Sequence, residues 1–174
     1  MRRVEVVPYD SAWSARFEEE AEKLKRLFGG TVVEVHHIGS TSVPGLEAKP
    51  IIDIMPVVQE IEQVDELVGH MEALGYRSFG EHGIPRRRFF AKGDEVRTFH
   101  VHVFEAGDEG VNRHLAFREY LKAFPDVRAE YGDLKRTLAE QHPSDIESYI
   151  QGKQEWVSET ERVATIWYVA EQTK

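Results

Sequence analysis

The short β-branched stretches of this chain fall within residues 1–105, and from Val111 onward the apolar residues recur at helical spacing. Thr31–Ile38, Pro50–Val58, Arg88–Lys92 and Val96–Phe104 read as strands, the last two joined by a turn at Gly93-Asp94. Asp10 is placed to cap a helix carrying Trp13, Phe17, Leu24, Leu27 and Phe28, which Gly29-Gly30 stop near Phe28. A second stripe, Ile61, Val64, Leu67, Val68, Met71 and Leu74, ends at Gly75. Helical segments then follow on Leu115, Phe117, Leu121 and Phe124, on Tyr131, Leu134 and Leu138, and after the capping box Ser144-Asp145-Ile146-Glu147. Strands early and helices late predict an α+β fold: a small mixed sheet with flanking helices and a helical C-terminal third, not a βαβ repeat. No repeat or linker interrupts the pattern, so one domain over 1–174 is the expectation.

A chain of 174 residues buries a sufficient core without an outside staple. The absence of cysteine removes disulfides, thiolate zinc sites, iron–sulfur clusters and cysteine nucleophiles, so a metal must be held by His, Asp or Glu. With 31 acidic against 22 basic side chains the formal charge is -9, the wrong sign for non-specific binding to nucleic acid or anionic lipid. The opening Met1-Arg2-Arg3 leads into a stretch too short and polar for a signal segment, and no apolar run approaches a membrane span. A cytoplasmic protein is the expectation.

The densest chemical signal is His37-Ile38-Gly39-Ser40-Thr41-Ser42-Val43-Pro44-Gly45-Leu46, followed by Lys49-Pro50-Ile51-Ile52-Asp53-Ile54. A strand running into Gly-Ser lets backbone N–H groups and the hydroxyls of Ser40, Thr41 and Ser42 approach an anion, while an acid on the next strand holds a cation beside it. An ordinary Gly/Ser/Pro turn satisfies the same spacing, so Gly39-Ser40 alone does not decide between the two. Lys49, at the entrance to the Asp53 strand, is placed to meet a phosphate or to neutralise Asp53.

This string resembles the signature of the GrpB family, whose members are similar in fold to the nucleotidyltransferase superfamily. Further matches are His100-Val-His-Val103, His114-Leu-Ala-Phe-Arg-Glu-Tyr-Leu121, Tyr131-Gly-Asp-Leu-Lys135 and Tyr149-Ile-Gln-Gly-Lys153. The superfamily pattern is Gly-Ser at the end of one strand, Asp-x-Asp or Asp-x-Glu on the next, and a third acid on a later strand. Gly39-Ser40 and Asp53 match its first parts, whereas position 55 is Met where a second carboxylate is wanted. The standard two-metal clamp is therefore not assembled. The resemblance also places Arg118, Lys135 and Lys153 at basic positions able to close over a bound anion.

His100 and His102, two apart on a strand, emerge on one face, where they stand in for the missing third acid. With Asp53, and with His37 or His36, they make a nitrogen-and-oxygen set suited to zinc, manganese or iron, with magnesium the alternative implied by the fold. A one-residue slip exchanges His36 and His37, so which of them faces the site stays open. A structural role as hydrogen-bonded strand histidines fits the same pattern. Histidine-triad hydrolases need a third alternating histidine, and position 104 is Phe. Among Arg86-Arg87-Arg88, Arg88 lies next to Phe89-Phe90 and is the better phosphate ligand; Arg86 and Arg87 suit a solvated edge. Trp156, Trp167 and Tyr168 read as core packing and not as a base-stacking platform.

Two functions follow. One is a nucleotidyltransferase-like site with a single metal, binding a phosphorylated small molecule or nucleotide for transfer or metal-assisted hydrolysis, with Asp53, His100 and His102 as the catalytic set. The other is a catalytically degenerate nucleotide- or coenzyme-binding accessory module, related to the domains fused to dephospho-coenzyme A kinases. Whether the site turns over is open at this level.

Overall fold

The computed structural model describes residues 3–174; Met1 and Arg2, which open the basic start, lie outside the described residues. The chain is mixed α and β and divides into two compact units. A sheet unit takes Ser11–Ile38 and Ile51–Val111; a helical unit takes the chain up to Asp10, Gly39–Pro50 and Asn112–Lys174.

In the sheet unit, α1 (Ala12–Phe28) buries Trp13, Phe17, Ala21, Leu24 and Phe28 along one stripe, as their spacing predicts, and packs on β1 (Val32–Ile38) and β2 (Ile52–Val58). The remaining strands are β3 (Tyr76–Ser78), β4 (Arg88–Lys92) and β5 (Phe99–Glu105), in the spatial order β1-β2-β5-β4-β3. β2 and β5 run parallel, and every other neighbouring pair is antiparallel. Parallel strands need a long crossover, and residues 59–98 supply it, bringing β4 back on the far side of β5.

Three details depart from the sequence expectation. The stripe after β2 begins as a 3₁₀ helix over Ile61–Leu67 and becomes α2 only at Val68–Ala73. Ile61, Val64 and Leu67 are spaced by three, the 3₁₀ period, and the first two are fully buried. β3 was not anticipated. β5 starts at Phe99, because residues 93–98 form the turn: the Thr98 N–H donates to the Lys92 carbonyl, and a Cβ on Gly93 (φ +96°) would lie 2.1 Å from the Val96 carbonyl oxygen.

In the helical unit, α3 (Glu109–Ala123, whose first turn belongs to the sheet unit), α4 (Pro125–Gln141) and α5 (Ile146–Gln172) follow one another. Pro125 sits at the first helical position of α4, and the Asp145 carboxylate caps α5 by accepting from the Ser148 N–H at 3.1 Å. Val43 and Leu46 pack with Leu121 and Tyr131, while Val4 packs with Leu138 and Tyr149. Trp156, half-buried, stacks on Tyr131 against the core, whereas Trp167, expected in the core, is only half-buried and meets Tyr120 and the exposed Phe124 edge-on. Among the described residues no helix is long and apolar enough to cross a membrane.

Candidate functional site

Strand register decides which side chains meet. Asp53 lies opposite His100 across the parallel β2/β5 pair, and alternation puts His102 on the same face one step along. On the neighbouring strands Ile38 of β1 is opposite Asp53, Ala91 of β4 is opposite His100, and Phe89 is opposite His102. One carboxylate and two imidazoles thus share a patch walled by apolar residues. The His102 Nε2 is 2.9 Å and the His100 Nδ1 3.6 Å from the same oxygen, Asp53 Oδ1. One donor atom from each of the three residues lies within 4.8 Å of the other two. All three side chains keep some exposure, 25% for Asp53, 22% for His100 and 13% for His102, so small solutes reach them.

Arg87 completes the set. It is buried, its guanidinium lies 5.0 Å from the Phe89 ring centre, and Nε and Nη2 donate to the carbonyls of Glu81 and His82. Its Nη1 approaches His102 Nδ1 at 3.4 Å. Arginine has donors only, so Nδ1 accepts and the imidazole proton sits on Nε2, from which it is donated to Asp53. Burial lowers the His102 pKa, and the charges of His100 and Arg87 lower it further, outweighing the pull of Asp53. Burial alone would raise the Asp53 pKa, but its hydrogen bonds with His100 and His102 hold it well below the usual carboxylate range. The site therefore rests as an ionised Asp53 beside a neutral His102.

The donor chemistry fits a divalent ion of the zinc, manganese or iron type: one oxygen and two imidazole nitrogens. An independent sign is His100 Nε2, which is buried and has no hydrogen-bond partner among the described residues. A buried lone pair or N–H in that state is the kind of atom an ion or a substrate oxygen satisfies.

Other residues singled out from the sequence fall elsewhere. His37 stacks on Phe17 of α1, ring centres 4.7 Å apart, on the sheet face opposite Asp53, and so lies outside the three-residue set. His36 shares the Asp53 face, but its Nε2 is 2.8 Å from Glu34 Oε2. Met55 lies fully buried on that face, at the position where the superfamily pattern wants a second carboxylate. Arg88 points away from Asp53 and makes a two-pronged ion pair with Asp65 at 2.7 and 3.2 Å, which raises its pKa. The sequence reading favoured Arg88 over Arg87, and it is Arg87 that the structure brings beside His102.

Gly39 to Ser42 belong to the helical unit. Gly39 adopts φ +73°, ψ -173°, a conformation confined to glycine, and opens a 3₁₀ turn over Ser40–Ser42. The Ser42 hydroxyl donates to the Gly39 carbonyl at 2.5 Å, and Thr41 is buried. Arg118 pairs with its neighbour Glu119 at 2.8 Å. Lys49, Lys135 and Lys153 gather around Tyr131 and Tyr149.

Comparison with known proteins identifies the same pattern. A family profile described as GrpB protein matches residues 3–162. UPF0157 protein YqkA of Bacillus subtilis is 48% identical over 166 residues, covering 95% of this chain and 48% of that protein. A dephospho-CoA kinase of Mycolicibacterium paratuberculosis is 30% identical over 94% of this chain and 46% of its own length. The chain thus spans about half the length of these two relatives. Among solved structures, the conserved protein GrpB from Enterococcus faecalis superposes with TM-score 0.91 at 44% identity, covering 94% of this chain and 99% of the other. An H336N mutant of the Cid1 poly(U) polymerase bound to MgATP aligns with TM-score 0.50 at 13% identity, over 75% of this chain and 45% of that one, a likeness of fold alone.

Proposed function

The chain belongs to the GrpB family, and from that premise we propose that Asp53, His100 and His102 hold a single divalent cation in a site for transfer or hydrolysis of a phosphorylated small molecule. The observation that carries this reading is the meeting of one carboxylate and two imidazoles on β2 and β5, with His100 Nε2 buried and without a partner among the described residues. A bound divalent ion supplies Lewis-acid stabilisation of charge on a phosphoryl oxygen. Asp53 contributes the negative charge that offsets a cation, and its depressed pKa keeps it ionised through the neutral range. Arg87 brings positive charge to the patch, favouring an anionic ligand there, and a cation on His102 Nε2 would move the ring proton to Nδ1, in place of the bond that Nδ1 accepts from Arg87. Phe89 and the buried Met55 exclude water from the flanks and strengthen every charge interaction inside.

A second reading has a specific observation in its favour. With Met55 in place of a carboxylate, two-metal transfer chemistry lacks a ligand, which suits an accessory module that binds a nucleotide or coenzyme without converting it. The match to about half of a dephospho-CoA kinase supports the same reading.

Metal content of protein purified without chelator or histidine tag separates the outcomes. About one ion per chain in the wild type, lost in Asp53→Asn, is expected. Unchanged metal content in the Asp53→Asn variant overturns the ligand set. Metal without turnover of any nucleoside triphosphate favours the accessory reading.

A further inference from the structure

We propose that β1 is an interaction edge whose occupant is a second copy of this chain, joined by antiparallel pairing of β1 with β1 about Val35. β1 stands at one end of the sheet order, so one side of it has no neighbouring strand. The opposite edge is guarded by brevity, since β3 has only three residues. β1 has seven, Val32-Val33-Glu34-Val35-His36-His37-Ile38, rich in β-branched side chains and without the lysine or proline that blunts an edge. Its bulge lies between Val32 and Glu34, and from Glu34 to Ile38 the pairing with β2 is regular.

The direction of the backbone groups along β1 follows from β2. The Ile52 N–H donates to the Thr98 carbonyl, and the Val58 carbonyl accepts from the Ala106 N–H, so the even-numbered residues of β2 turn toward β5 and Asp53 and Met55 turn toward β1. Ile38 and His36, opposite Asp53 and Met55, are taken up by that ladder. Val35 therefore turns its N–H and C=O outward, and among the described residues no backbone hydrogen bond meets them there. A donor and an acceptor on one residue, aimed out of a sheet edge, are satisfied together by the same residue of a copy related by a two-fold axis.

Side-chain charge selects the register. An axis through Val35, perpendicular to the sheet, sets Glu34 opposite the second copy's His36 and brings the exposed Val33 beside its His37. Glu34 already reaches His36 on its own strand, Oε2 to Nε2 2.8 Å, so the paired edges form a square in which each carboxylate has one imidazole beside it and another across from it. An axis through Glu34 would set the two carboxylates against each other, and one through His36 would set imidazole against imidazole. The register about Val35 is the complementary one, and it is also the one that pairs the outward groups of Val35.

This edge uses none of Asp53, His100 and His102, so it stands apart from the cation reading. Sedimentation equilibrium of the full chain over about 1 to 200 μM is expected to show monomer and dimer in exchange. Val33→Lys, at an exposed position, is expected to hold the chain monomeric with wild-type circular dichroism, as is Val35→Pro, which removes the outward N–H. Glu34→His and His36→Glu are each expected to weaken dimerisation roughly tenfold, and the double exchange Glu34→His/His36→Glu to restore it. Restoration distinguishes this register from any other self-association, and Val33→Lys and the exchanges decide the matter even where Val35→Pro fails to fold. A wild type that stays monomeric throughout, or a dimer indifferent to Val33→Lys and to the single exchanges, overturns the proposal.

Discussion

Glu20 sits on the buried stripe of α1, a position whose neighbours are Trp13, Phe17, Ala21 and Leu24, and it remains a carboxylate there because two donors reach it. The Tyr76 hydroxyl donates at 2.6 Å and Lys92 Nζ at 2.5 Å. Burial acts to raise the Glu20 pKa, yet the bonds from Lys92 and Tyr76 bring it below its ordinary 4.5. Burial and Glu20 together raise the Tyr76 phenol above its ordinary 10.0. The signs are opposite in consequence. A depressed carboxylate contributes stability above the unfolded pKa and loses it as pH falls through the folded value. A raised phenol contributes below the unfolded pKa and loses it as pH climbs past 10.0. The cluster therefore supports the fold between about pH 4.5 and pH 10, and wild type is expected to weaken on both sides of that window. In Tyr76→Phe the alkaline loss should shrink while the acid loss persists, read from urea midpoints across the pH range; an unchanged alkaline limb refutes the assignment. At this scale the sequence was only half legible. That His100 and His102 share a face was legible from spacing, because i and i+2 on a strand do so whatever the partner strands are, whereas Asp53 was set beside them by the family resemblance. Arg87 was missed, and His37 taken with His36 as alternatives, because strand parity says which residues lie together and not which of the two faces they occupy. That information is carried by the pairing of β4 with β5 and of β1 with β2.

Helix α3 shows how local preference and packing oppose each other within one element. Its first turn is capped by Asp108, whose carboxylate accepts from the Gly110 N–H at 2.8 Å. Alanine is the better helix former at position 110 by about 1 kcal/mol on propensity alone. A Cβ there, however, would stand 2.5 to 2.9 Å from three ring atoms of Phe104, which is itself fully buried. Overpacking a rigid ring costs about 1–3 kcal/mol, so Gly110→Ala is expected to lower stability despite its propensity, measured as a drop in the denaturation midpoint. A midpoint that rises would show that the ring yields. Elements as such were read well where periodicity was long: α1 ends at Phe28, and α5 opens within one residue of the expected box, capped by Asp145 with Ser148 where Ser144 with Glu147 was expected. They were read badly where an element is short. The three residues of β3 give alternation nothing to work on, and a 3₁₀ helix with apolar residues at every third position mimics the start of an α-helical stripe.

On the scale of the whole molecule, neither unit is a continuous stretch of chain. The helical unit gathers the residues before Ser11, the segment Gly39–Pro50 and everything from Asn112. Cutting the chain after Val111 removes the partners of Val4, Val43 and Leu46, all of them buried in the intact protein against Leu138, Tyr149, Leu121 and Tyr131. The fragment 1–111 is expected to aggregate or to lose a cooperative melt, each exposed side chain forfeiting about 1.5–3 kcal/mol of burial. A monomeric fragment that melts like the intact chain would refute this. The α+β class and the helical final third were visible from sequence because they rest on composition along the chain, whereas the interleaving of the units rests on contacts between distant segments, which no local pattern encodes. The parallel pairing of β2 with β5 has one more consequence, and it concerns time. Asp53 leaves the ribosome well before His100 and His102, and β2 gains its parallel neighbour only after residues 59–98 have been made and closed into a loop. A ligand that needs all three side chains finds its complete set only once β2 and β5 have paired.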